Sequence, residues 1–143
     1  MPNPFAHVEL NTGDLTRAKK FYQAVFAWTL RDMPGMNYTM IEVGKGAGGG
    51  MQKKPMAEMP TAWLPYVEVD DVKKTLAAAK KAGAQIALDH MSIGDMGAIG
   101  VFVDPTGASL GVWEQGKAAK RPAKKTAKKA AKKPTKKKAA KKR

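Results

Sequence analysis

The chain has 143 residues, enough for one domain and not comfortably for two. Its formal charge of +14 belongs to one end: Lys117 to Arg143 holds 15 of the 26 basic residues and no acidic one, so the preceding body, with 11 basic and 12 acidic residues, is nearly neutral. The absence of cysteine excludes a disulfide scaffold, thiolate metal sites and a cysteine nucleophile, and fits a reducing compartment.

MPNPFAHVEL shows no basic region followed by an apolar run, so no secretory signal is read there, and no stretch approaches the roughly 18 apolar residues of a membrane helix. A soluble cytoplasmic protein is expected. Phe5 to Leu10 alternates as a strand, with Phe5, His7 and Glu9 on one face and Ala6, Val8 and Leu10 on the other. After the Asn11-Thr12-Gly13 turn, Asp14 is placed to cap a helix by accepting from free first-turn N–H groups. Leu15, Ala18, Phe21, Tyr22, Val25 and Phe26 fall at spacings of three and four and make one apolar stripe, while Arg17, Lys19, Lys20 and Gln23 face away. Strands follow at Trp28 to Met33 and Tyr38 to Val43, around a Pro34-Gly35 turn, the second strand with Tyr38, Met40 and Glu42 on one side. Gly44 to Gly50 has five glycines in seven residues. It contains G-x-G-x-x-G, but it does not follow the first strand of a parallel unit and no Lys-Ser/Thr comes after it, so a turn or close strand packing is read rather than a phosphate loop. Met51 and Gln52 end a short strand weakened by glycine, and Lys53 to Pro60 joins the halves.

The pattern then restarts. Trp63 to Val69 reads as a strand, Asp70-Asp71 as a cap, and Val72, Leu76, Ala79 and Ala82 as a buried helical stripe closed by Gly83. Gln85 to Asp89, Ala98 to Val103 and Ala108 to Trp113 are strands, separated by turns at Gly94 to Gly97 and at Asp104-Pro105-Thr106-Gly107. Laying Asp14 on Asp71 puts His7 on Leu64, Glu9 on Tyr66 and Leu10 on Val67. One such unit leaves a sheet face bare, and two side by side can close a core. The expected fold is therefore α+β, two tandem βαβββ modules (about residues 5–53 and 62–115) forming a curled mixed sheet around a cleft. These make a domain of residues 1–115, followed by a disordered lysine-rich tail over 116–143.

His7-Val8-x-Leu10-x-x-x-Asp14-Leu15 with Phe21-Tyr22, then Val69-Asp70-Asp71-Val72, then Asp104-Pro105-x-Gly107-Ala108, occur in an order that resembles the vicinal oxygen chelate superfamily of glyoxalases, bleomycin-resistance proteins and extradiol dioxygenases. The resemblance covers about residues 5–115. It implies that metal-dependent members hold a divalent ion with four side chains, one from the first and one from the last strand of each module. His7 matches the first position, but its counterpart is Leu64, and the usual last-strand glutamate position is Gly111. The remaining position falls near Met51, with Gln52 one residue off, and alternation turns Glu114 to the opposite face from Gly111. One donor of four does not hold a catalytic ion, so no metal and no cofactor are expected; the alternative is a divalent ion at His7 with Glu9 and Gln52. The candidate cleft residues are His7, Glu9, Met51, Gln52 and Tyr66, with no catalytic residue assigned. His90 reads as surface structure, the many methionines as lining an apolar cleft or filling ordinary core, and the three tryptophans as core or dimer contacts rather than ligand-stacking groups.

The tail, KAAKRPAKKTAKKAAKKPTKKKAAKKR, has no aromatic, branched aliphatic or acidic residue and cannot bury a core. It is similar to the lysine-alanine-proline tails of linker histones and bacterial histone-like proteins. Its charges are Lys117, Lys120, Arg121, Lys124, Lys125, Lys128, Lys129, Lys132, Lys133, Lys136, Lys137, Lys138, Lys141, Lys142 and Arg143. They are expected to bind DNA or RNA non-specifically by neutralising phosphates; polyphosphate, an anionic membrane surface and a merely solubilising tail are the competing readings. Three functions stay open: a metal-free small-molecule-binding domain tethered to nucleic acid, a metal-dependent lyase, isomerase or dioxygenase by resemblance, and a nucleic-acid-associated scaffold. The expected partners are the nucleic acid, an unidentified small molecule and a second copy in a homodimer, and the expected place is the cytoplasm, at the nucleoid if the polyanion is DNA.

Overall fold

The computed structural model describes residues 2–117. The disorder and the nucleic-acid contacts expected of the tail beyond Lys117 lie outside the described residues. Strand β1 (Phe5–Thr12) leads into helix α1 (Leu15–Val25), and the Asp14 carboxylate accepts from the Arg17 N–H at 2.9 Å. Then come β2 (Thr29–Met33), β3 (Tyr38–Glu42) and β4 (Gly48–Lys53). The second half repeats the order: β5 (Ala62–Glu68), α2 (Val72–Lys81), β6 (Gln85–Ser92), β7 (Gly97–Val103) and β8 (Ser109–Gln115). Helix α2 is capped like α1, by Asp71 accepting from the Lys74 N–H at 3.0 Å. At the last hairpin Asp104 Oδ1 accepts from the Thr106 and Ala108 N–H groups, and Gly107 takes a φ of +97° that favours glycine.

All eight strands form one mixed sheet in the order β2-β3-β4-β1-β5-β8-β7-β6. Each half contributes one wing, and the wings join where β1 runs antiparallel to β5. Val8 faces Pro65 at that seam, His7 faces Tyr66 and Glu9 faces Leu64. This is the pairing required if the offset that lays Asp14 on Asp71 is a two-fold rotation through the seam. In each half the first and last strands are parallel, β1 beside β4 and β5 beside β8.

Both helices cover the same sheet face, because alternation sends Leu10, Val67, Val69 and Val112 to one side. Beneath α2, Val72 and Leu76 are buried against Val69, Ala98 and Val112. The two halves differ here. Helix α1 packs Leu15, Ala18 and Tyr22 on Leu10, Ile41 and Met51, yet buries none of its residues fully. Phe21 stays 58% exposed and Val25 53%, so the apolar stripe read from the sequence is wider than the sheet covers. Tyr22 instead stacks on Phe26 and Trp28, and its hydroxyl oxygen is bonded by the indole N–H of Trp63 on β5 at 3.2 Å. Since an indole N–H only donates, Tyr22 is the acceptor.

Candidate functional site

The face opposite the helices receives His7, Glu9 and Asn11 from β1, since side chains two apart share a side. On β4, Gly50 lies beside Glu9 and Gln52 beside Asn11. Next out on β3, Tyr38 is paired with Gln52. On the other flank Tyr66 of β5 faces His7, with Gly111 of β8 beside it. Four strands thus direct six polar side chains at one place.

Glu9 is the hub, only 7% exposed. Its Oε1 accepts from the Gln52 amide at 3.0 Å, the Tyr66 hydroxyl at 3.3 Å and the Asn11 amide at 3.3 Å. Its Oε2 accepts from the Tyr38 hydroxyl at 3.1 Å. That same hydroxyl lies 2.6 Å from His7 Nε2. Gln52 also donates to Asn11 Oδ1 at 2.9 Å. No cation pairs with Glu9 among the described residues. Burial pushes its carboxyl above the ordinary range, and the hydrogen bonds from Tyr38, Asn11, Tyr66 and Gln52 work against that rise. Burial also lowers His7. Both phenols are driven far up, first by burial and then by the neighbouring Glu9 charge.

Two glycines make room for the two phenols. A Cβ on Gly50 would overlap the Tyr38 hydroxyl end, and a Cβ on Gly111 would overlap the Tyr66 ring. The seats correspond across the two-fold, since Gly50 pairs with Glu9 and Gly111 with Tyr66, the residue that Glu9 overlays.

Of the residues read from the sequence, His7, Glu9, Gln52 and Tyr66 come together here. Met51 does not. Alternation along β4 turns it to the helix side, where it is 0% exposed among Leu10 and Ile41. Glu114 also points to that side, its carboxylate accepting from the Val72 N–H at the start of α2 at 3.1 Å. Asn11 and Tyr38 were missing from the expected set. The two-residue period from Glu9 marks Asn11, and Tyr38 follows once β3 and β4 are paired as a hairpin with Tyr38 opposite Gln52. His90 lies in β6 and is exposed, its N–H donating to Asp89 Oδ1.

These residues do not fit a divalent ion. No group of three or more His, Asp or Glu side chains among the described residues is arranged to hold one. Leu64 carries no donor atom, and Tyr66 fills the space above Gly111 that a glutamate there would need. His7 Nε2 and Glu9 Oε2 converge on the Tyr38 hydroxyl, which occupies the point between them.

Residues 5–44 match the family described as Bleomycin resistance protein-like N-terminal. The chain is 34% identical over 114 residues to CFP32 of Mycobacterium tuberculosis, which carries the name of a glyoxylase; the match covers 75% of this chain and 44% of that protein. It is 25% identical over 132 residues to the anthracycline biosynthesis protein DnrV of Streptomyces peucetius, covering 80% of this chain and 48% of that one. The chain therefore spans less than half the length of these curated relatives. Among solved structures, methylmalonyl-CoA epimerase from Mycobacterium tuberculosis superposes with a TM-score of 0.60 at 13% identity, over 80% of this chain and 89% of that one. Residues 5–44 thus resemble a bleomycin-resistance-like N-terminal domain, and the described residues share the fold of that epimerase.

Proposed function

We propose that this domain binds a small organic molecule over the face opposite its helices, without a divalent ion, and that the lysine-rich tail holds the domain on nucleic acid. The observation that carries the first part is the Glu9 hub: a buried carboxylate served by side chains from β1, β3, β4 and β5. Polar groups buried for stability alone are expensive. Gathering six of them on one sheet face is the arrangement of a site that fixes a ligand's orientation. His7 at the edge of the hub is half-buried and offers its second ring nitrogen to such a ligand. The likeness to a protein named for anthracycline biosynthesis makes polycyclic hydroxyketones the first probes. The tail supports the second part through its fifteen positive charges and its lack of any acidic residue.

The deciding experiment is amide and side-chain NMR on the full chain, titrated with a panel of phenols, hydroxyketones and an anthracycline. Shift changes for the binders are expected to centre on His7, Tyr38, Gln52 and Tyr66. Binders that instead gather at the apolar hollow on the helix side, walled by Trp28, Ile41, Gly49 and Trp63, would show that the site lies elsewhere.

A further inference from the structure

The Tyr38 hydroxyl carries one hydrogen and has two neighbours that want it, His7 Nε2 at 2.6 Å and Glu9 Oε2 at 3.1 Å. Both bonds exist together only if a second hydrogen sits at one end of the chain. Either His7 carries Nε2–H and donates to the Tyr38 oxygen, which donates to an ionised Glu9; or Glu9 is protonated and donates to the Tyr38 oxygen, which donates to a bare Nε2. In the second arrangement a neutral His7 carries its hydrogen on Nδ1.

We propose that His7, Tyr38 and Glu9 form a proton wire, so that a proton taken up at His7 Nδ1 is stored on the buried Glu9. The steps balance: a proton arrives at Nδ1, the Nε2 proton passes to the Tyr38 oxygen, and the Tyr38 hydroxyl proton passes to Glu9 Oε2. Net charge on the trio changes by the one proton received. No described residue bonds Nδ1, so that nitrogen is left for a ligand. The ligand class this serves is one with a weakly acidic O–H group, a phenol or an enol, which gives its proton to Nδ1 and is held as the oxyanion beside the resulting N–H.

The surroundings suit a mobile proton. The strands against the trio present neutral groups: Asn11 on β1, Gln52 on β4, Leu64 and Tyr66 on β5, Gly111 on β8. Glu68, one step along the same face of β5, is the next carboxylate, while Arg31 and Glu42 on the outer strands pair with each other. Burial raises Glu9 and lowers His7, which brings the two proton affinities towards each other. The ligand class rests on the site proposed above; the wire itself is measured on ligand-free protein, so either can fail alone.

The full chain, labelled with nitrogen-15, is followed by long-range proton–nitrogen correlation of its two histidine rings, with His90 as the internal reference. On acidification, His7 is expected to change from the Nε2–H to the Nδ1–H tautomer before any imidazolium forms. In Tyr38→Phe, whose ring still fits over Gly50, that step is expected to vanish, leaving His7 to go directly to the imidazolium. Glu9→Gln, which keeps the side-chain shape but cannot store the proton, is expected to remove the step as well. Direct conversion of wild-type His7 to imidazolium would overturn the proposal, as would identical titrations of the wild type and either variant.

Discussion

At the scale of single residues the site depends on what is missing as much as on what is present. Gly111 lacks a Cβ, and Tyr66, 4% exposed and bonded to Glu9, lies in the vacant space. Gly111→Ala forces the ring to move or the strands to part, and is expected to cost about 1–3 kcal/mol, the usual range for overpacking. Urea unfolding checks this, and in a Tyr66→Ala background the same glycine change should cost much less; equal costs in the two backgrounds would separate the glycine from the ring. The reading of the sequence grouped His7 and Glu9 by alternation, Tyr66 by the register of the repeat and Gln52 as the neighbour of a position the resemblance implied, and these four side chains do lie together. It could not reach Tyr38, which arrives through a hairpin whose register only the folded sheet defines, and it misplaced Met51 by one residue on a glycine-rich strand. A shift of one residue changes the face, so the error moved a core side chain into the site.

Secondary-structure elements were easier to read, because caps and periodicity are local. Asp14 and Asp71 both cap as expected, and the order of strand, helix and three strands repeats. How tightly each helix sits was not readable, since amphipathicity measures an apolar stripe and not the area available to cover it. Helix α2 seats Val72 and Leu76 in a complete core, while Glu114 adds a bond to its first turn. Helix α1 has Asp14 and a half-covered aromatic side. At the positions where α1 has Phe21, Tyr22 and Val25, α2 has Ala78, Ala79 and Ala82, so the fold does not require the aromatics. Elements with few buried contacts open locally at lower free energy. Amide hydrogen exchange is therefore expected to be faster in α1 than in α2, by about tenfold or ~1.4 kcal/mol. Equal protection would mean that something further covers α1 in solution.

For the whole molecule, charge divides the chain into two parts with separate physics. The body is nearly neutral, and the ion pairs among the described residues are few and solvent-accessible, worth little each. Nearly all long-range attraction for polyanions therefore resides after Gly116. Gel retardation with double-stranded DNA is expected to be strong for the full chain at low salt and to vanish on truncation after Gly116. The log–log salt slope should be about −0.9 for each phosphate neutralised. Retardation that persists in the truncated protein at moderate salt would assign binding to the body. Composition alone located this division, whereas the two-fold arrangement of the sheet needed the strand pairing at Val8 and Pro65. Among the described residues no helix is long and apolar enough to cross a membrane.

The two phenols over their glycines also give the protein an optical property. Tyr38 and Tyr66, two of the three tyrosines, keep their protons well above the ordinary phenol value of 10.0 while folded. An unfolded chain would release both near that ordinary value. In strong base the unfolded state therefore binds fewer protons than the folded one, and stability falls as pH rises beyond the ordinary phenol range. Phenolate absorbance from these two residues accordingly signals the loss of the sheet around Glu9 rather than a simple titration, so the site can be monitored in plain ultraviolet light without a label.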